Sequence, residues 1–280
     1  MLKIDFHVHI RRFHRLADIR RHLKAIGVDG FAITNFWEID FARWLQRRLD
    51  NALIFVGKEI HSRDGHILGI GLQENVPDFC SAEETVALIH DQGGLAILPH
   101  PFLGVASVAP VGRFAHLSVD AIEVFNYRAG PFFWPNSLAW LFTRRKRIPL
   151  VANSDAKAIE TIGRCYNLVP GRNQAEVFAA VRAGRIQRKT RMLWPTSGWA
   201  WRTARQVLFG YQDSICGVCG ASLRRGWKRH TLKCVQCGWQ VQTHTICSRE
   251  PHFICKSCRT QRDYSIEAIE RYRKEHGLDG

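Results

Sequence analysis

Met1-Leu2-Lys3-Ile4-Asp5-Phe6-His7-Val8-His9 opens the chain and reads as one short strand that ends in two histidines. Residues two apart on a strand point to the same side, so His7 and His9 can converge on one metal ion. A lone His-x-His has a bland alternative, two exposed histidines. It gains weight because further ligand-type residues recur beyond it.

Outward from that strand, short apolar runs at residues 30–34, 53–59, 96–100, 121–125 and 149–153 predict further strands. Stretches at 16–26, 41–49, 82–91 and 175–183 have apolar residues at three- and four-residue spacing and predict helices. Strands alternating with helices signal an α/β architecture, in which sites form at strand ends. Glu59, His66 in Gly65-His66-Ile67-Leu68-Gly69, His100 in Leu98-Pro99-His100-Pro101, and Asp155 in Ser154-Asp155-Ala156 stand at or just beyond such ends. With His7 and His9 they make a ligand set suited to Zn²⁺, Mn²⁺ or Fe²⁺.

In order and spacing these segments resemble the PHP (polymerase and histidinol phosphatase) phosphoesterases. The match includes Asp5-x-His7-x-His9, the Gly65–Gly69 run, residues 93–101, Ile122-Glu123-Val124-Phe125-Asn126, Ser154-Asp155-Ala156 and Ala183-Gly184-Arg185. It covers about residues 1–193. The resemblance implies a distorted (β/α)7 barrel with metals at the C-terminal strand ends, and metal-assisted hydrolysis of phosphate esters. It also implies a two-metal site: His7, His9, Glu59 and Asp155 for one ion, Glu59, His66 and His100 for the other, with Glu59 shared. Where many relatives have ligands to a third ion, this chain has Phe36 in Thr34-Asn35-Phe36, and Lys157. His14 stands near the position of another family acid. Lys157 is then expected to supply fixed positive charge, with Arg11, Arg12 and Arg164 as further phosphate-holding cations. His14 is a candidate proton donor to the leaving group.

The chain of 280 residues carries 40 Lys+Arg against 25 Asp+Glu, a formal charge of +15 that favours polyanionic partners. No signal-peptide pattern or apolar run of membrane-spanning length is read in it, so a cytoplasmic setting without a membrane partner is expected. Reduced thiols in such a setting make clustered cysteines metal ligands in preference to disulfides.

Seven of the nine cysteines fall between Cys216 and Cys258. Cys216-x₂-Cys219, Cys234-x₂-Cys237, His244-x₂-Cys247 and Cys255-x₂-Cys258 supply four pairs, enough for two tetrahedral structural zincs. The order resembles cross-brace fingers of the RING, PHD and C1 classes. In that topology Cys216, Cys219, His244 and Cys247 share one ion, and Cys234, Cys237, Cys255 and Cys258 the other; two consecutive ribbons are the alternative. Arg224-Arg225-Gly226-Trp227-Lys228-Arg229-His230 mixes cations with an aromatic ring, the composition that holds single-stranded nucleic acid. The bland reading of that loop makes Trp227 a plug of a small core.

The expected division is a PHP-type domain at 1–193, a basic aromatic linker at 194–213, a two-zinc module at 214–260 and a terminal helix or tail at 261–280. The leading function is a metal-dependent phosphoesterase, a nuclease or a phosphatase of nucleotides or nucleic-acid ends, with a protein partner possible through the finger. The competing function is a degenerate, non-catalytic barrel whose finger serves as a binding adaptor.

Overall fold

The computed structural model describes residues 1–10, 16–36, 38–103, 117–130, 134–144, 147–191, 223–235, 238, 240–247 and 274–275. These fall into two compact units, a large α/β unit and a C-terminal one. The linker at 194–213 and the tail at 261–280, apart from residues 274–275, lie outside the described residues.

The large unit is built on one nine-stranded sheet, ordered β7-β6-β5-β4-β3-β2-β1-β8-β9. Its strands are β1 (Leu2–Val8), β2 (Gly30–Ile33), β3 (Leu53–Ser62), β4 (Gly65–Ile70), β5 (Leu95–Leu98), β6 (Ala121–Asn126), β7 (Leu150–Asn153), β8 (Tyr166–Val169) and β9 (Gln187–Lys189). Helices α1 (Leu16–Ile26), α2 (Asp40–Gln46), α3 (Ala82–His90), α4 (Trp134–Thr143) and α5 (Gln174–Arg182) intervene. β1-β2-β3 and β5-β6-β7 pair in parallel, as strands linked by helices do. Strict alternation fails in two places. β3, β4 and β5 form an antiparallel meander whose first turn is only Arg63-Asp64, and β8 and β9 pair antiparallel beside β1.

The sheet is nearly closed. Val8 bridges Ala156 just beyond β7, and the His9 amide donates to Ala156 O at 2.8 Å. Between β1 and β7 the gap is stitched by the fully buried side chain of Asn167. Its carboxamide accepts from Ala152 N at 2.9 Å and donates to Ala152 O at 2.8 Å and Ile4 O at 3.2 Å, imitating a strand's peptide group. Ile4, Phe6, Phe55, Leu68, Ile97, Val151 and Phe178 share the core, each contributing about 1.5–3 kcal/mol by burial.

Local chemistry sets the helix ends. Ser81 and Glu84 form a reciprocal capping box that starts α3, and Asn173 accepts from Glu176 N to start α5. In the C-terminal unit, β10 (Leu223–Lys233) and β11 (Gln240–Cys247) form an antiparallel hairpin. Its register slips between Arg225↔Thr245 and His230↔Thr243, so residues 226–229 bulge from β10.

Candidate metal centre

The C-terminal end of β1 presents His7 and His9 to a buried cluster. Their Nε2 atoms lie 3.3 Å apart. Glu59 of β3 sets one oxygen, Oε2, at 3.3 Å from His7 Nε2 and 3.0 Å from His9 Nε2. Its other oxygen, Oε1, lies 2.6 Å from His66 Nδ1 and 3.2 Å from His100 Nε2. Asp155 Oδ1 completes the first group at 3.5 Å from His7 and 3.3 Å from His9. His7, His9, Glu59 and Asp155 thus offer four donor atoms within 4.8 Å of one another, and Glu59, His66 and His100 offer three.

Those donors fit divalent ions. They combine imidazoles with carboxylates, and His100 Nδ1 and Asp155 Oδ1 are buried without a hydrogen bond. Lys157 Nζ is 2.9 Å from that same Oδ1, near enough for charge attraction, although the contact does not count as a directed hydrogen bond. His100 and Asp155 also adopt positive φ, +23° and +48°, in a region that non-glycine residues avoid. Such strain persists where the surroundings over-determine it, commonly at functional sites.

Further residues fix the donors. Glu123 of β6 is buried, and its Oε1 faces His7 Nδ1 at 3.1 Å, leaving His7 Nε2 for the cluster. Glu123 also accepts from Asn153 Nδ2, Asn126 Nδ2 and His100 N at 2.8–2.9 Å. It can be grouped with His7 and His100 as a ligand set. Its two oxygens face four groups, the rings or amides of His7, His100, Asn126 and Asn153, an arrangement that orients His7 and the His100 backbone. Asp5, buried within β1, accepts from His7 N, Ser154 N and Gly163 N. A side chain at Gly163 (φ +70°) would put its Cβ 2.5 Å from Val28 Cγ2, so glycine is required there.

Burial pushes the His7 imidazolium down, but Asp155, Glu123 and Glu59 more than offset this and hold it well above its ordinary value. His9 moves the other way, lowered by burial and by Lys157. Burial raises Glu59 and Asp155, yet the charges and hydrogen bonds around them win and hold both well below the carboxylate range. The cluster therefore keeps its carboxylates ionised.

The structure brings His7, His9, Glu59, His66, His100, Asp155 and Lys157 together. Arg164 is placed elsewhere: its Nε donates to Glu160 O at 3.0 Å, and no described contact ties it to the cluster. Arg128, in the turn after β6, stands beside the cluster, with Nη1 3.6 Å from Asp155 Oδ2. Sequence reading missed Arg128 and the orienting role of Glu123, and it missed His61, which faces His66 Nε2 at 2.8 Å. Phe36 stacks on His61 with ring centroids 4.7 Å apart and lies 5.1 Å from the His9 ring. Arg11, Arg12 and His14 lie outside the described residues, as do Cys216, Cys219, Cys237, Cys255 and Cys258. The side chains of Arg224, Arg225 and His244 are likewise outside them, whereas Cys234 and Cys247 are buried. Trp227 is 100% exposed, which overturns its reading as a core plug; Lys228 and Arg229 are exposed beside it.

Comparison with known proteins bears on this arrangement. Uncharacterized protein MJ1587 of Methanocaldococcus jannaschii is 32% identical over 142 residues, 45% of this chain and 82% of that protein. The chain belongs to that protein's family. A second protein of the same archaeon, MJ0417, is 30% identical over 117 residues, 39% of this chain but only 48% of its own length. Residues 133–186 match the family model described as PHP-associated. Among solved structures, PsfC from Pseudomonas syringae aligns with TM-score 0.54 and 14% identity, over 74% of this chain and 96% of its own. A two-domain protein from Bacteroides vulgatus, described as containing a predicted PHP-like metal-dependent phosphoesterase, aligns with TM-score 0.51 and 18% identity, over 68% of this chain and 65% of its own. At these identities the likeness is one of fold. No helix among the described residues is long and apolar enough to cross a membrane.

Proposed function

We propose that the chain is a metal-dependent hydrolase of phosphate esters, acting on a nucleotide or at a nucleic-acid end. The observation that carries this reading is Glu59, a buried carboxylate with one oxygen in each of two donor groups. His7, His9, Glu59 and Asp155 would hold one divalent ion, and Glu59, His66 and His100 a second. Zn²⁺, Mn²⁺ or Fe²⁺ bound there would supply Lewis acidity toward a phosphoryl oxygen and lower the pKa of water. A PHP-like fold supports the reaction class by analogy only.

The chain's own groups define the substrate end. Glu59, Glu123 and Asp155 carry three negative charges, and Lys157 and Arg128 carry two positive ones. With the proton that His7 carries before metal binds, the cluster is about neutral; two divalent ions, displacing that proton, would make it three charges positive. An anion is then needed. Ligation would draw Asp155 away from Lys157 and Arg128, leaving both cations to hold non-bridging phosphate oxygens. Zinc in the C-terminal module would supply folding energy on the order of 10 kcal/mol per ion. The exposed Trp227, Lys228 and Arg229 would offer a stacking ring and phosphate contacts to a single strand.

The test is purified protein loaded with Mn²⁺ or Zn²⁺, assayed against end-labelled RNA and DNA and against mononucleotides. Phosphate release that disappears in His7→Ala supports the proposal. No turnover of any phosphate ester with both donor groups loaded would leave the binding adaptor as the better account.

A further inference from the structure

At the other mouth of the sheet lies a second cavity. It measures about 350 Å³, within the range of small-ligand clefts, roughly 300–1,000 Å³. Arg147, Ile148, Leu150, Arg182, Ile186 and Arg188 are among the residues lining it. β7 begins at Leu150 in this cleft and ends at Asn153, two residues before Asp155. Three steps of a parallel strand span about 10 Å, so the cleft is separate from the metal cluster.

Its arginines differ in their commitments. Arg182 is fixed, with Nε 3.0 Å from Asp120 Oδ1 and Nη2 donating to Gly94 O at 2.8 Å. Asp120 also faces His90 Nε2 at 2.9 Å, so its charge is fully used. Arg147 and Arg188 have no acidic partner among the described residues. Both side chains are exposed at the rim of the cleft, where partial desolvation pushes the Arg188 guanidinium down. Ile148, Leu150 and Ile186 add an apolar wall beside these cations. Guanidinium forks at the rim suit a phosphate, and the wall suits a sugar or base.

We infer that this cleft binds the phosphate of a nucleotide, free or carried on a nucleic-acid strand, at a site remote from the metal centre. Among the described residues the charges of Arg147 and Arg188 are uncompensated, and the space is preformed. The site would anchor a phosphorylated ligand at the end of the sheet that takes no part in hydrolysis.

The experiment uses the full chain stripped of the barrel metals, so that the metal cluster is about neutral and loses the positive charge that would compete for anions. ADP and a short labelled oligonucleotide are titrated separately by calorimetry or fluorescence anisotropy. Arg147→Gln/Arg188→Gln should weaken binding at least tenfold while turnover of a small phosphate ester by the metal-loaded protein is unchanged. Loss of ADP binding assigns the cleft to free nucleotides, and loss confined to the oligonucleotide assigns it to a strand. Arg147→Lys/Arg188→Lys, which keeps the charge, should retain part of the affinity. Equal affinity of the glutamine variant and the wild type for both probes would overturn the inference. So would a wild type that binds neither.

Discussion

The Lys157 ammonium stands 5.2 Å above the ring of Phe36 while lying 2.9 Å from Asp155 Oδ1. One side chain is thus held by an aromatic face and a candidate metal ligand at once. The Phe36 ring is in turn stacked on His61, so the cation rests on an aromatic pair. Such a contact contributes about 0.5–2 kcal/mol, more as water is excluded.

Lys157→Met keeps the length of the side chain and removes the charge. It should leave two equivalents of barrel metal bound, because none of their donors is touched, and weaken inorganic phosphate binding by tenfold or more. Metal analysis beside a phosphate titration checks both halves. Unchanged phosphate affinity would show that the ammonium serves only to neutralise Asp155.

Glu59→Gln probes the shared carboxylate. Glutamine keeps the size but loses the charge that faces both donor groups. Both barrel ions should be lost or bound far more weakly, whereas His66→Ala should release one. Two tightly bound ions in Glu59→Gln would rule out a shared ligand.

Much of this site was legible in the sequence because its donors are costly types placed at strand ends. The parallel strands were visible for a related reason: β2 and β5 are buried along their whole length and read as uninterrupted apolar runs. β4 was missed because it opens on Gly65-His66 and returns through a two-residue turn, so its residues read as a motif. α4 was missed because Trp134, Leu138, Trp140 and Leu141 are exposed, which erases the amphipathic contrast by which helices are recognised. Glu123 gave no sign of its role, since only the fold brings His7 against it from 116 residues away. Arg164 and Arg128 could not be told apart either, being cations near strand ends whose directions depend on turn geometry.

Metal uptake should depend on pH through His7. Its folded pKa is held well above 6.5, so at pH 7 the metal-free protein carries a proton that ligation must displace. Apparent metal affinity should rise with pH, about tenfold per unit for each proton released, and level off above that raised pKa. Glu123→Gln removes one of the carboxylates that raise it, so the levelling should come at lower pH. Chelator competition between pH 6 and 8 reads this directly. A flat profile would mean that His7 is neutral before metal arrives.

The hairpin register bears on how zinc would be shared in the C-terminal module. Leu223 faces Cys247 at one end, and Lys233, next to Cys234, faces Gln240 at the other. Seven residue steps along β11 separate those rungs, roughly 23 Å at a strand's rise. Two thiolates on one zinc, each about 2.3 Å from the ion, stand at most about 4.6 Å apart. Cys234 and Cys247 must therefore serve different ions. Both topologies meet that requirement: in the cross-brace Cys216 and Cys219 share the ion of Cys247, and in consecutive ribbons they share that of Cys234. Zinc counts in paired variants decide between them. Cys219→Ser and Cys247→Ser should each release one zinc, and the double variant should still release only one. Cys219→Ser with Cys234→Ser should release both. If that second pair released a single zinc, the two pairs would share an ion and the ribbon arrangement would hold. Turnover of a small phosphate ester should survive in every variant, because the donors around Glu59 belong to the other unit.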